Sequence, residues 1–137
     1  MIKMTEFPEI MTDGNIELRR PAATFDNARA MYDLIDKNRE YLGEFLGWPE
    51  KTKSPEDSFA FLTGAVNGKS NWTIYVDGKL AGDIGFVKVE PGETQRRCEI
   101  GYWISAEFAG RGVITRCVRL LERAAFERDD INRRFRF

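Results

Sequence analysis

The chain has 137 residues, with 21 Lys plus Arg against 22 Asp plus Glu, so it has room for one domain and one core, and its net charge of −1 gives no broad attraction to nucleic acid or acidic lipid. Hydrophobic residues at 42% and charged residues at 31% exclude a disordered or fibrous chain, and no apolar run approaches the roughly 20 residues of a membrane-spanning helix. Histidine is absent, which excludes a His-based triad, a His metal site and a His general base. Cys98 and Cys117 form neither a disulfide framework nor a metal spacing, and residues 1–10 carry acids and a proline where a signal peptide needs an apolar stretch. A reducing cytoplasm is the expected setting.

Residues up to Asn15 read as a flexible lead-in closed by a turn at Asp13-Gly14. Ile16-Glu17-Leu18-Arg19 alternates as a short strand ending at Pro21. Thr24 offers an N-cap, and Ala28, Met31, Tyr32 and Ile35 fall at helical spacing, so helix is expected with a break up to Phe45. Ser54-Pro55-Glu56-Asp57 reads as a second helix start, with Phe59, Leu62 and Val66 as its buried stripe. Residues 72–76 alternate as a strand, Asp77-Gly78 is a type I′ hairpin signal, and strands are expected over 80–89 and 97–105. From Val113 the period becomes 3.6, with Ile114, Cys117, Val118, Leu121, Ala124 and Ala125 on one face. Residues 131–137 alternate as the opening of a further strand. The expected fold class is α/β (α+β): a mostly antiparallel meander feeding a strand–loop–helix–strand unit, in one domain over 1–137.

The stretch from Glu99 to Thr115 carries the chemistry. A strand enters a loop punctuated by Gly110 and Gly112, and the loop opens an amphipathic helix. Such glycines let successive N–H groups converge, and the helix start adds about half a positive charge, which suits a phosphate or pyrophosphate. Arg111 and Arg116 would add side-chain charge at the edge. The alternative is that the two glycines only permit a tight strand-to-helix turn. The third glycine of a dinucleotide fingerprint and the Gly-Lys-Ser/Thr of a P-loop are both missing.

Glu-Ile-Gly-Tyr-Trp-Ile on the strand and Ala-Gly-Arg-Gly-Val-Ile-Thr at the helix start resemble the GNAT superfamily of acetyl-CoA-dependent N-acetyltransferases. More closely they resemble the branch of ribosomal-protein alanine and serine N-acetyltransferases. Leu18-Arg19, Tyr41-Leu42, Leu46-Gly47-Trp48, Gly82-Asp83-Ile84-Gly85, Ala125-Phe126 and Ile131-Asn132-Arg133 agree with that branch, so the likeness covers about residues 16–133. The resemblance implies a GNAT-like mixed, mostly antiparallel sheet flanked by helices. It also implies acetyl-CoA as co-substrate, with Gly110, Arg111, Gly112 and Val113 on its pyrophosphate. Ile104 and Ser105 would bond its pantetheine arm as a strand would, and Thr115 would cap the helix start. Glu107 stands where the superfamily often has Arg or Gln. The family also continues through another helix and two strands, often with a Ser or Tyr general acid, whereas this sequence stops at Phe137.

Alternation puts Glu99, Gly101, Trp103 and Ser105 on one strand face. A carboxylate beside the open room at Gly101 could take a proton from an ammonium group, directly or through water, and the alternative is an ion pair with Arg96 or Arg97. Tyr41, Trp48 and Trp103 are candidates for the acceptor-pocket wall; Tyr41 and Trp48 could equally just pack under the helix break. Cys117 reads as inert core, and Cys98 lacks an evident partner base. The sequence therefore carries two expectations. One is acetyl transfer to a primary amine, such as a protein N-terminus, with Glu99 as base and no metal. The other is a non-catalytic GNAT fold that binds an acyl-CoA or a partner subunit. An exposed edge at 131–137 with two phenylalanines further predicts a homo-oligomer, in the simplest case a dimer.

Overall fold

A computed structural model of the chain describes residues 7–68, 70–90, 96–126 and 135–136. The elements in chain order are β1 (Ile10–Asp13), β2 (Ile16–Arg19), α1 (Phe25–Lys37), α2 (Arg39–Gly43), α3 (Pro55–Gly68), β3 (Asn71–Val76), β4 (Lys79–Glu90), β5 (Arg96–Ile104), α4 (Val113–Phe126) and β6 (Phe135–Arg136). The strands form one sheet in sequence order. Every neighbouring pair is antiparallel except β5 and β6, which run parallel with Arg96 opposite Phe135. This is the mixed, mostly antiparallel sheet that the sequence leads one to expect.

Local chemistry explains most boundaries. The Thr24 hydroxyl accepts from the Asn27 N–H at 3.1 Å and caps α1. Asp77 and Gly78 both have positive φ, at 52° and 78°, as a type I′ turn requires. Two readings need correction. Residues 10–13 are a strand rather than a lead-in, because they pair along their whole length with β2. The buried face of α3 is Ser58, Leu62 and Ala65, with Phe59 and Val66 only half-buried at its flanks. Of the strand expected over 131–137, only Phe135–Arg136 falls within the described residues.

The sheet has an apolar layer on each face. On one face α4 lays Val113, Cys117, Leu121 and Ala125 against Ile16, Leu18, Trp72, Ile74 and Ile84. On the other, α1, α2 and α3 bring Ala28, Met31, Ile35, Leu42 and Leu62 to Trp103. Alternation along β3, β4 and β5 places Thr73, Asp83 and Trp103 side by side on this second face, since Thr73 pairs with Asp83 and Asp83 with Trp103.

Gly82, beside them, lies too close to β5 for any side chain. A Cβ there would overlap the Trp103 carbonyl oxygen and come within 2.9 Å of Ile104 Cα. Gly82→Ala should therefore destabilise the fold by about 2–3 kcal/mol, read as a lower urea midpoint; an unchanged midpoint would show that β4 and β5 can part without cost.

Candidate active site

β5 ends at Ile104, a short 3-10 turn follows over Ala106–Phe108, and α4 begins at Val113. Gly110 and Gly112 both have φ of 74°, a region that disfavours a Cβ, and each has open space where one would sit. The first helical bond of α4 runs from the Arg116 N–H to the Gly112 C=O at 3.1 Å, so the amides before it have no helical acceptor. Arg111 is exposed on this turn. Thr115 is also exposed, in the first turn of α4 and not at its cap.

Arg116 does not serve this turn. Its guanidinium donates to the Asp13 carboxylate at 3.0 Å, to the Asp13 carbonyl at 2.6 Å and to Asn15 Oδ1 at 3.2 Å, tying α4 to the first hairpin. The same bond holds the Asp13 carboxyl below its usual range. Glu107 is likewise engaged, in a surface ion pair with Lys79 at 3.1 Å.

Ser105 is buried, and its N–H donates to the Ala81 C=O at 2.8 Å, so that amide is committed within the sheet. Alternation turns the Ile104 amide to the opposite edge. β6 pairs only with Arg96 and Arg97, which leaves the edge of β5 near Ile104 without a strand partner among the described residues. Asn38, which has no motif around it, braces the turn: its Oδ1 accepts from the Ala106 N–H at 2.9 Å while its Nδ2 donates to the Leu34 carbonyl at 2.8 Å.

On the face covered by α1 and α3 lies a cavity of about 390 Å³, walled by Met31, Ile35, Trp48, Phe61 and Trp103. Trp48 and Trp103 meet edge-to-face with centroids 5.9 Å apart. Tyr41 instead lines a neighbouring groove with Phe45, Ile100 and Ile104, beside the open edge of β5. The structure thus brings Trp48 and Trp103 together edge-to-face, and Tyr41 shares its groove with Trp103. Glu99 is exposed on β5, two residues before Gly101, which lines the cavity. Its alternative partners Arg96 and Arg97 have side chains outside the described residues, as does Cys98. Burial pushes the Cys117 thiol up to about 12, as expected of an inert core residue.

Sequence reasoning missed the polar floor of this cavity. Asp83 is buried, with Oδ2 accepting from Asn71 Nδ2 at 2.9 Å, and burial pushes its carboxyl up to about 7. Asp83 Oδ1 and the nearby-lining Ser58 Oγ are buried without hydrogen-bond partners among the described residues. The available signal was an acid between Gly82 and Ile84 in the middle of a strand otherwise destined for the core.

Comparison with known proteins follows the same geometry. The family model for the acetyltransferase (GNAT) domain matches residues 15–136. The ribosomal-protein-serine acetyltransferase of Escherichia coli (strain K12) is 31% identical over 123 residues, which is 86% of this chain and 65% of that protein. Among solved structures, the ribosomal L7/L12 alpha-N-protein acetyltransferase RimL in complex with coenzyme A superposes with a TM-score of 0.74 at 26% identity, covering 90% of this chain and 71% of that one. The microcin C7 self-immunity acetyltransferase MccE, in complex with acetyl-CoA and AMP, superposes with a TM-score of 0.73 at 25% identity, covering 90% and 68%. This chain spans 65% and 61% of the lengths of two curated relatives that it matches. On its sheet order, its glycine turn and these matches, the chain belongs to the GNAT acetyltransferase family.

Proposed function

We propose that the chain moves acetyl from acetyl-CoA to a primary amine, with a protein N-terminal residue as the acceptor class. The observation that carries this reading is the glycine turn at Gly110 and Gly112, whose α4 amides have no helical acceptor and follow directly on a β5 edge that has no strand partner near Ile104 among the described residues. Its relatives named for ribosomal-protein acetylation support the acceptor class. In this reading the amides of Gly110, Arg111, Gly112 and Val113 hold the pyrophosphate, with Thr115 beside them in the first turn. The Ile104 edge holds the pantetheine arm, with Ser105 buttressing that edge by its bond to Ala81. Trp48 and Trp103 wall the acceptor cavity, and Tyr41 flanks it at the open edge.

Acetyl transfer by direct attack needs an amine without its extra proton and donors for the oxyanion; it needs no covalent enzyme intermediate, which suits a chain without histidine. Glu99 is the base in this reading, supported by its exposed place on the sheet face that leads to Gly101. Glu99→Gln keeps the shape and removes the proton acceptor, so turnover should fall roughly 10²-fold with acetyl-CoA affinity unchanged. Unaltered turnover would return Glu99 to a surface role. Free-thiol release from acetyl-CoA with a mixture of amines tests the reaction itself, since a chain that only binds gives calorimetric heat and no free CoA. A cytoplasmic setting and a homo-oligomer complete the reading. β6 is the last strand of the described sheet and offers an edge for pairing, so light scattering should give a multiple of 15.8 kDa, and a stable monomer would overturn the assembly.

A further inference from the structure

The cavity beneath α1 and α3 is apolar-walled, yet its floor carries two buried polar atoms with no hydrogen-bond partner among the described residues, Asp83 Oδ1 and Ser58 Oγ. Buried polar groups are nearly always hydrogen-bonded, and a buried carboxylate is nearly always paired with a cation or a metal. Among the described residues no lysine or arginine lines the cavity. Asp83 has one donor, Asn71, on its other oxygen, so it is held in position without being neutralised. Trp48, Trp103 and Tyr102 border the same space, and aromatic faces attract cations.

We propose that Asp83 is the group that receives the acceptor's ammonium in this cavity and takes its proton, so that the acceptor class is a primary amine small enough to pass the Trp48–Trp103 wall. This rests on the acetyl-transfer reading and divides its proton step: Asp83 takes the ammonium proton inside the cavity, and Glu99 at the rim accepts it from Asp83 through water and releases it. The ammonium gives one proton to the Asp83 carboxylate and becomes a neutral amine. The nitrogen lone pair attacks the thioester carbon; the N–C bond forms and the C–S bond breaks. The second proton leaving the nitrogen goes to the departing thiolate, giving CoA thiol, and Asp83 passes its proton by way of Glu99 to water. The net products are the amide, CoA and one proton.

A carboxyl that burial sets near 7 is suited to this exchange, because its proton affinity lies close to the working pH. Among the described residues lining the cavity, the titratable ones besides Asp83 are Asp57 of α3 and Tyr102 of β5; Ser58, Asn71 and Thr52 are polar, and Met31 and Ile35 of α1 are apolar. Asp57 is exposed and accepts from the Lys53 N–H at 2.9 Å, which leaves Asp83 as the buried acid of the set.

The test is the pH profile of kcat/KM with acetyl-CoA and a short peptide bearing a free N-terminal serine. The parent should show an acid limb near pH 7. Asp83→Asn should lose at least 100-fold in kcat/KM at pH 7 and lose the limb, while acetyl-CoA affinity and the melting temperature hold or rise. Asn71→Ala removes the bond that favours the charged form, so it should keep the limb and move it to higher pH. In Glu99→Gln the limb should stay in place. A limb that survives in Asp83→Asn, or equal kcat/KM in that variant, overturns the assignment. A parent that releases no CoA with any amine would instead sink the acetyl-transfer reading. Calorimetry with the same peptide then decides the contact alone: heat with the parent and none with Asp83→Asn supports it, and equal heat or none with both overturns it.

Discussion

Gly112→Asp should weaken acetyl-CoA binding by several kcal/mol, a loss of hundredfold or more in affinity by calorimetry. Gly112 stands at φ 74° with open space around the missing Cβ, so a side chain meets no neighbour in the protein. It would project instead into the space before the α4 amides, where the proposed pyrophosphate would sit, and its charge would oppose that anion. Backbone strain from a positive φ contributes as well, and Gly112→Asn separates the two. Asn tolerates the left-handed region and matches Asp in shape, so the difference between the variants reports charge alone. The Asp variant should bind more weakly than the Asn variant, and by more as salt is lowered. Equal affinity in the parent and both variants would leave the two glycines as nothing more than a turn.

The second large effect is on stability. The Asp83 carboxyl titrates near 3.8 when unfolded and is pushed up to about 7 by burial in the fold. Between these values the folded state keeps its proton while the unfolded state has lost it, so rising pH favours unfolding. The contribution of this group is thus fully present below about pH 4 and is lost as pH rises toward 7, a change of roughly 4 kcal/mol. Asp83→Asn removes the titration and keeps the shape. It should be close to the parent in stability at pH 4 and more stable by a few kcal/mol at pH 8. Asp13 and Glu17 are shifted downward by their arginine partners and act in the opposite direction, but they do so equally in both proteins. A difference in urea midpoint that does not change with pH would show that Asp83 carries no buried charge.

What the sequence made legible is what depends on neighbours in the chain. The Asp77-Gly78 turn, the Thr24 cap and the 3.6 period from Val113 are local, and each stands in the structure where the residues indicate. β1 was not legible, because Ile10–Asp13 buries only Met11 and owes its extended form to pairing with β2. The role of Arg116 was not legible either: its partner Asp13 is 103 residues away, and beside a glycine loop the arginine looks like a phosphate ligand. Within the site, the glycine turn was legible from its motif, and Trp48 and Trp103 were candidates on the resemblance, but their edge-to-face contact joins residues 55 apart and was not. Asp83, Asn71 and Ser58 were not legible. They come from β4, β3 and α3 and meet only when the meander sets Thr73, Asp83 and Trp103 abreast under the helices.

The chain is expected to form an amide bond between acetyl and an α-amino group. Incubating the full chain with acetyl-CoA and a peptide bearing a free N-terminal serine, then sequencing the peptide by tandem mass spectrometry, reads that bond directly. The expected result is acetyl on the α-amino nitrogen, formed in proportion to the enzyme present and reduced in Gly112→Asp. Unmodified peptide from a chain that binds acetyl-CoA with measurable heat would contradict it.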